Sequence, residues 1–443
     1  MNKNSKNDRI TIIGAGYVGL CTGALLTEMG FPVTFIDVNR ERIDTISKGK
    51  SPVFEPGLDE IIYEGVKNGS INVTTDYENI SNSKTFIISV NTPIDSQYRV
   101  NLDYLISASK SLSKVVKDDS LIISRSTVPP LTLREKIIPV FQNEGFNITR
   151  DLHFAVMPER LAEGHALKDM RENPTIIGVN DDLTFTRVEN IWKELGTEIL
   201  KISWEEAELT KLTDNLWIDL NIALANEIAI VSEHVKADVR NVIRAANTLK
   251  KGSGYVNILT PGIGVGGSCL PKDPHILSSF AETMGVNLKL PSAGRFVNDQ
   301  MPEHMHELIM KNLKGKDSKK VLLLGLSFNA NSGDMRYSPS IYLNEYLQSS
   351  GCDVYGYDPL VDPKDLTVLK NLKLLHDSNE LFNILPDIDL IAVVAGHSAF
   401  RELEGKLLKY MDNKVIIDGR YFFHKEDVET MNIKYVAIGV GNQ

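Results

Sequence analysis

The most constraining feature of this chain is a short apolar run that ends in a glycine-spaced turn. Ile10-Thr11-Ile12-Ile13 leads directly into Gly14-Ala15-Gly16-Tyr17-Val18-Gly19, and a second β-branched run, Val33–Ile36, ends in Asp37. A strand, a glycine turn and an apolar helix in that order predict a βαβ unit. In that unit Gly14 makes the tight turn, Gly16 lets a pyrophosphate approach the backbone, and Gly19 lets helix and strand pack closely. The helix N-terminus supplies partial positive charge for phosphates. Asp37 lies about 20 residues downstream, where a carboxylate accepts from a ribose 2′-hydroxyl and repels a 2′-phosphate, so the expected cofactor is NAD rather than NADP.

The same alternation continues. Thr85–Val90, Leu121–Ser124, Phe154–Met157 and Thr175–Val179 read as further strands of a parallel, doubly wound sheet. From Trp204 to Ala246 there is neither proline nor glycine, and Leu209, Leu212, Leu216, Leu220, Ala223 and Leu224 recur at helical spacing. One long helix with a break near His234–Asp238 is expected; ~30 residues would reach about 45 Å, enough to join domains and form a subunit interface. A second α/β alternation follows through Lys320–Leu326, Val354–Asp358, Leu390–Val394 and Val415–Asp418. The fold class is therefore α/β, with two Rossmann-like doubly wound domains joined by a long central helix.

Between the two alternations lies Gly264-Val265-Gly266-Gly267-Ser268-Cys269-Leu270-Pro271-Lys272-Asp273. One cysteine in a glycine-rich loop beside a lysine and a carboxylate suits a reactive thiol: glycine admits a substrate to the backbone, and Lys272 favours thiolate. Cys21 and Cys352 fall in apolar helix and strand contexts and read as packing residues. Three cysteines without a Cys-x-x-Cys indicate a reduced compartment and no zinc framework. His304 and His306 are two apart and face different sides of a helix, so no metal is expected. The formal charge of −10 disfavours nucleic acid and anionic membranes as partners. With a polar Met1–Arg9 stretch and no apolar run of spanning length, the chain is expected in the cytoplasm.

Taken together, Gly14–Gly19, Glu55-Pro56-Gly57-Leu58, Asn91-Thr92-Pro93, Ser126-Thr127-Val128, Pro158-Glu159-Arg160, Asn221–Glu227, Gly264–Asp273 and Asp334-Met335-Arg336 resemble the UDP-glucose/GDP-mannose dehydrogenases along nearly the whole chain. That resemblance implies oxidation of the C6 hydroxyl of a nucleotide sugar to a carboxylate with two NAD. It implies an NAD-binding domain (1–200), a central helical dimerisation domain carrying the cysteine loop (201–300) and a C-terminal nucleotide-sugar domain (301–443). A homodimer through the central helix follows from the same likeness.

By resemblance, Cys269 is the nucleophile that holds the C6 aldehyde as a thiohemiacetal and then a thioester. A water held by Asp273 and Lys211 takes the hydroxyl proton, Lys211 and Asn215 face the oxyanion, and Glu159 or Glu163 activates the hydrolytic water. Thr127 hydrogen-bonds that water or the nicotinamide. Gly14, Gly16, Tyr17, Val18, Gly19, Asp37, Arg42, Thr92, Thr127 and Arg336 would contact NAD. Glu159, Arg160, Leu161, Lys211, Asn215, Tyr255, Asn257, Gly266, Gly267, Phe328 and Asn329 would line the UDP-sugar site.

Asn221–Glu227 and Pro261–Gly267 are similar to the branch acting on UDP-N-acetyl-D-mannosamine. Ser268, Leu270-Pro271-Lys272-Asp273 and Glu163 are closer to the UDP-glucose form. UDP-GlcNAc, UDP-GalNAc and GDP-mannose stay open as further substrates. Two positions depart from the family pattern: Asn329 and Tyr255 stand where the family usually carries basic residues, and Lys250, Lys251 or Arg295 are candidates to compensate. An inactive nucleotide-sugar-binding scaffold would share these departures. A two-electron 3-hydroxy-acid dehydrogenase would share the N-terminal fold but gives no reason for Cys269.

Overall fold

The computed structural model describes residues 8–95, 98–148, 150–252, 254–316 and 319–441; the stretch Met1–Asn7 that the localisation expectation draws on lies outside them. The chain divides into two compact units, Met1–Asp214 with Ile276–Val286, and Asn215–His275 with Asn287–Gln443.

The first unit is built on eight strands, β1 (Ile10–Ile13), β2 (Val33–Ile36), β3 (Ile71–Thr74), β4 (Thr85–Ile88), β5 (Ser120–Ser124), β6 (Leu152–Val156), β7 (Thr175–Gly178) and β8 (Ile199–Ile202). Their order is β3-β2-β1-β4-β5-β6-β7-β8. The first six run parallel; β7 pairs antiparallel with β6 through Val156 and Gly178, and β8 is parallel to β7. Sequence reading expects six of these strands and omits β3 and β8. Because both faces of the sheet are covered by helices, β1, β2, β4, β5 and β6 are buried at every position rather than at alternate ones. Ile12, Phe35, Ile87 and Ile123 enter the core on one face, while Ile13, Ile36, Ile88 and Ile122 enter the core on the other.

The second unit contains a two-stranded hairpin, β9 (Lys250–Lys251) with β10 (Gly254–Tyr255). Its main sheet is parallel throughout: β11 (Lys320–Leu324), β12 (Asp353–Tyr357), β13 (Lys373–Leu375), β14 (Leu390–Val393), β15 (Val415–Asp418) and β16 (Lys434–Ala437). The order β13-β12-β11-β14-β15-β16 places a topological switch between β11 and β14, as β1 and β4 do in the first unit. Ligands of open α/β sheets bind at such points, beyond the carboxyl ends of the strands.

The long helix runs from Trp204 to His234 and a shorter one from Val239 to Ala246, so the break expected near His234–Asp238 is present. Asp238 starts the second helix by accepting from Arg240 N, the ordinary work of an N-cap carboxylate. Among the described residues no helix is long and apolar enough to cross a membrane.

Each main sheet opens on the same strained turn. Gly14 and Gly325 have φ of +99° and +79°, and a Cβ there would lie 2.4 Å from Ser89 O and 2.1 Å from Ala395 O respectively. Neither carbonyl can retreat, since each belongs to the segment leaving the neighbouring strand. Replacing Gly325 with Ala is therefore expected to destabilise the protein by more than the ~1 kcal/mol usual for a compatible Gly/Ala exchange. Thermal unfolding followed by circular dichroism checks this, and an unchanged midpoint would contradict the close-approach argument.

Candidate active site

At the carboxyl ends of β1 and β2 the glycine turn is tied to Asp37. One carboxylate oxygen accepts from Ala15 N (2.8 Å) and from Arg42 (3.1 Å), the other from Asn39 N (2.8 Å). The helix Tyr17–Glu28 begins at Gly16, whose missing side chain leaves its first turn without a side-chain cap, and a Cβ on Gly16 would meet nothing within 4 Å. Uncapped N–H groups at a helix start beside open space fit a diphosphate. Thr92, after β4, donates to Thr127 O at 2.6 Å, so these two predicted residues join the loops following β4 and β5.

Tyr17 does something the glycine motif does not announce. Its hydroxyl donates to buried Glu55 and accepts from Gly164 N at 3.0 Å, while Glu55 also accepts from Gly164 N and Leu167 N. The Glu55-Pro56-Gly57-Leu58 motif thus fastens the loop 157–165 beside the cofactor turn. Glu163 and Arg160 lie on that loop, as does Glu159, and the helix that follows it starts at Ala166.

Glu159 is 6% exposed and pairs at 2.5 Å with Lys211, itself 5% exposed; its other oxygen accepts from Leu161 N. Burial by itself pushes the Glu159 carboxyl up, but the charge and hydrogen bond of Lys211, the Leu161 N–H and nearby Arg125 outweigh it and hold the group below the ordinary carboxylate range. Arg160 is directed to Asp214 at 2.8 Å. Lys211 and Asn215 are one turn apart on the long helix, and both are buried.

In the second unit Asn215 donates to one oxygen of fully buried Asp273, and Lys272 pairs with the other at 2.7 Å. Cys269 is partly buried with its Sγ 3.5 Å from Ser268 Oγ; its carbonyl accepts from Lys272 N and Asp273 N just ahead of the helix Asp273–Thr283. Gly266 and Gly267 bring this loop against the segment after β11. A Cβ on Gly266 would lie 2.5 Å from Phe328 Cβ, and one on Gly267 2.9 Å from the Phe328 ring. Gly267 N also donates to Arg336 O at 2.8 Å.

Three predicted residues are more peripheral within this unit. The Arg336 guanidinium is exposed and paired with Asp334; Asn329 turns its side-chain oxygen to Ala330 N; Tyr255 is exposed on β10.

Sequence reasoning missed how the cysteine loop is held in place. Asn221 donates to Asn257 O and accepts from Leu259 N, Asn247 does the same with Ile258 O and Ile258 N, and Asn226 accepts from Gly262 N. Asn221 and Asn226 were visible as a motif, but their partners lie 36 to 38 residues away and left no local signal. Arg420 was also passed over. It donates to Val394 O and Phe328 O, and NH1 lies 2.9 Å from where a Cβ on Gly262 would stand. Burial lowers its pKa to about 10 despite Asp418.

The glycine turn, its helix and the switch-point sheet define an NAD-binding dehydrogenase. The chain belongs to the UDP-glucose/GDP-mannose dehydrogenase family: residues 8–196 match the family's NAD binding domain, 205–300 its central domain and 322–425 its UDP binding domain. It is thus an NAD-dependent nucleotide-sugar dehydrogenase. It is 31% identical to UDP-glucose 6-dehydrogenase YwqF of Bacillus subtilis (strain 168), over 97% of each chain. It is 35% identical to GDP-mannose 6-dehydrogenase of Pseudomonas putida over 79% of this chain and 80% of that one. The solved UDP-D-ManNAc dehydrogenase of Pyrococcus horikoshii superposes with a TM-score of 0.86 at 30% identity, covering 98% of this chain and all (100%) of the other.

The Glu159–Lys211 pair has a pH signature. A carboxylate whose folded pKa is depressed below the ordinary 4.5 stabilises the fold above that value, and the contribution is lost as pH falls through the lower folded pKa. Lys211→Met removes the largest lowering influence, so the variant should be less stable at neutral pH and should lose less stability on acidification from pH 6 to 3. Denaturant unfolding of both proteins across that range tests it; parallel pH profiles would contradict the assignment.

Proposed function

We propose that this enzyme carries out the four-electron oxidation of UDP-N-acetyl-D-mannosamine to UDP-N-acetyl-D-mannosaminuronate in the cytoplasm, with Cys269 as the covalent nucleophile. The observation that carries the substrate reading is the coupling of two sequence features. Asn221 and Asn226 hold Leu259 and Gly262 by hydrogen bonds, so the Asn221–Glu227 and Pro261–Gly267 stretches behave as a single structural device. UDP-glucose is the second reading, favoured by Ser268 and Leu270-Pro271-Lys272-Asp273. The functional division we propose is 1–200 for NAD, 201–300 for dimerisation and the cysteine loop, and 301–443 for the nucleotide sugar.

Converting an alcohol to a carboxylate requires loss of two hydrides and gain of one oxygen from water. When bound, NAD supplies the hydride acceptor for each oxidation; Gly14, Gly16, Val18, Gly19, Asp37 and Thr92 are the residues that would hold it. Asp273 and Lys211 orient the water that takes the C6 hydroxyl proton. The Cys269 Sγ adds to the aldehyde carbon, and the carbon–sulfur bond keeps the sugar in place until the second oxidation leaves a thioester. Lys211 and Asn215 donate to the oxyanion. Glu159, kept ionised beside Lys211, or Glu163 takes a proton from water, which attacks the thioester carbon and releases the carboxylate and the thiol; Thr127 orients that water.

Two NADH per sugar are expected on a panel of UDP and GDP sugars read by absorbance, with the mannosamine derivative turned over best. Cys269→Ser should retain NAD binding while acid production falls by orders of magnitude. Undiminished acid formation in that variant would exclude the covalent route, and one NADH with free aldehyde would exclude four-electron chemistry.

We further propose a homodimer through the central helix. Trp217, Leu224 and Val231 recur every seven residues along it and are 49%, 46% and 57% exposed, an apolar seam that favours a helical partner. Leu224→Asp should shift the sedimentation coefficient from dimer to monomer. A variant that sediments as wild type would place the subunit contact elsewhere.

A further inference from the structure

Within the second unit, the long helix Trp204–His234 buries Asn215, Asp219 and Asn226, which stand four and then seven residues apart and so share one face. Asn215 holds Asp273. Asp219 Oδ1 accepts from Arg295 at 2.8 Å and from Asn298 Nδ2 at 2.9 Å, and the same Asn298 nitrogen lies 2.9 Å from Asp219 O. Asn298 Oδ1 accepts from Asn226 Nδ2 at 3.0 Å, and Asn226 Oδ1 accepts from Gly262 N at 2.8 Å. Arg295, a candidate from the sequence to replace a missing substrate-binding charge, is buried and committed to Asp219 and Asp299.

The network has a direction. Both oxygens that Asp219 presents to Asn298 are acceptors, so the Asn298 amide must turn its nitrogen to them and its oxygen to Asn226. Asn226 must then give its own nitrogen to Asn298, which leaves its oxygen for Gly262 N. Asn298 also meets the cysteine loop through its backbone: Gly264 has a φ of +106°, and a Cβ there would lie 2.7 Å from Asn298 O and 3.5 Å from Pro302 Cδ. Pro302 stands one turn beyond Asn298 inside the helix Leu290–Asn312, and without an N–H it cannot make the usual helical bond to that carbonyl. Stability alone is a weak reason for charges here. Asp219 Oδ2 has no partner among the described residues, and a buried ion pair often stabilises no more than apolar residues of the same volume.

We infer that Asn298, oriented by the buried Asp219–Arg295 pair, is a positioning residue for the Cys269 thiol: it sets the loop at Gly262 through Asn226 and at Gly264 through its own carbonyl. The inference rests on the reading of Cys269 as the nucleophile. The step served is addition of Sγ to the aldehyde carbon, in which a carbon–sulfur bond forms, the carbonyl π pair moves to oxygen and the thiol proton ends on that oxygen. The first hydride loss makes no bond to sulfur, so it does not depend on where this loop holds the thiol.

The test is an aldehyde trap. The full-length protein is given NAD, semicarbazide to capture any aldehyde that leaves it, and the nucleotide sugar that wild type oxidises best in the panel of UDP and GDP sugars; NADH is counted per sugar consumed. Wild type should form two. Asn226→Asp keeps an acceptor for Gly262 N but loses the donor to Asn298, Asn298→Ala removes the amide, and the double variant Asp219→Leu/Arg295→Met removes the pair without leaving one charge alone. Each should fall below two NADH per sugar, with trapped aldehyde, because a misplacement of about 1 Å can slow such a step ~100-fold. The first hydride step, read in a single turnover, should stay near the wild-type rate. A purely structural role would slow both steps together and keep the count at two. That outcome, or wild-type behaviour in the folded variants, would overturn the inference; if Asn298→Ala does not fold, the other two variants carry the test. Cys269→Ser, run beside them, separates the two readings. Aldehyde release from it upholds the nucleophile, so that an unchanged count in the network variants would overturn this inference alone; undiminished acid from it would remove the nucleophile and this inference together.

Discussion

Both main sheets depend on the same local constraint: a backbone turn that only glycine tolerates, closed by a carboxylate from the next strand. In the first unit Asp37 accepts from Ala15 N, immediately after Gly14; in the second, Asp358 accepts from Leu326 N and Ser327 N, immediately after Gly325. The second carboxylate oxygen repeats the pattern, since Asp37 receives Asn39 N and Asp358 receives Leu360 N. A positive φ aims the N–H groups after the glycine inward, and the ionised side chain at the end of the second strand collects them. The switch point is thereby held open at each sheet, where a ligand has access to backbone rather than side chains.

What surrounds that carboxylate sets the two units apart. Asp37 is completed by Arg42, a residue one-third exposed, so its environment is continuous with solvent and with anything bound there. Asp358 is completed by fully buried His397, whose Nδ1 accepts from Asn331 N at 2.9 Å. That acceptor role fixes the proton on Nε2, which donates to Asp358 at 2.9 Å, and the ring binds the loop 325–331 at both ends. The second turn is thus locked by an internal network, whereas the first is finished by a surface arginine. A loop that carries Phe328 against Gly266 and Gly267 needs such fixation, because the cysteine loop takes its position from it.

The parts of the fold that sequence reading found and missed divide along a physical line. Apart from the short β9–β10 hairpin, the strands it omitted, β3, β8, β13 and β16, are the four edges of the two main sheets. An edge strand has a neighbour on one side only and is exposed along part of its length. Ile71-Asn72-Val73-Thr74 and Ile199-Leu200-Lys201-Ile202 therefore include exposed positions such as Asn72 and Lys201, where a central strand such as Ile10–Ile13 is buried throughout. Central strands such as Ile10–Ile13 and Val415–Asp418 announced themselves to the residue. For the site the division is between chemistry and fixation. Cys269, Lys211 and Asn215 stand out by type and spacing. The clamps made by Asn221, Asn226 and Asn247, and the bond from Tyr17 to Glu55, join residues 11 to 38 apart, and such pairings appear only once the chain is folded.

Electrostatic perturbation alone does not mark the chemistry in this molecule. Within the first unit, burial pushes the carboxyl of Glu208 up to about 7, an apt value for a general acid or base. Its hydrogen bond points to a structural role instead, since Oε1 accepts from Leu133 N at 2.8 Å, at the start of a helical segment. Glu159 is as deeply buried yet held low, because Lys211 stands against it. Only the second arrangement couples a stable charge to a loop whose backbone is fastened to the cofactor turn through Glu55 and Tyr17. Of the two buried carboxylates, the one paired with a lysine is therefore held ionised, and the one met only by neutral N–H groups is not.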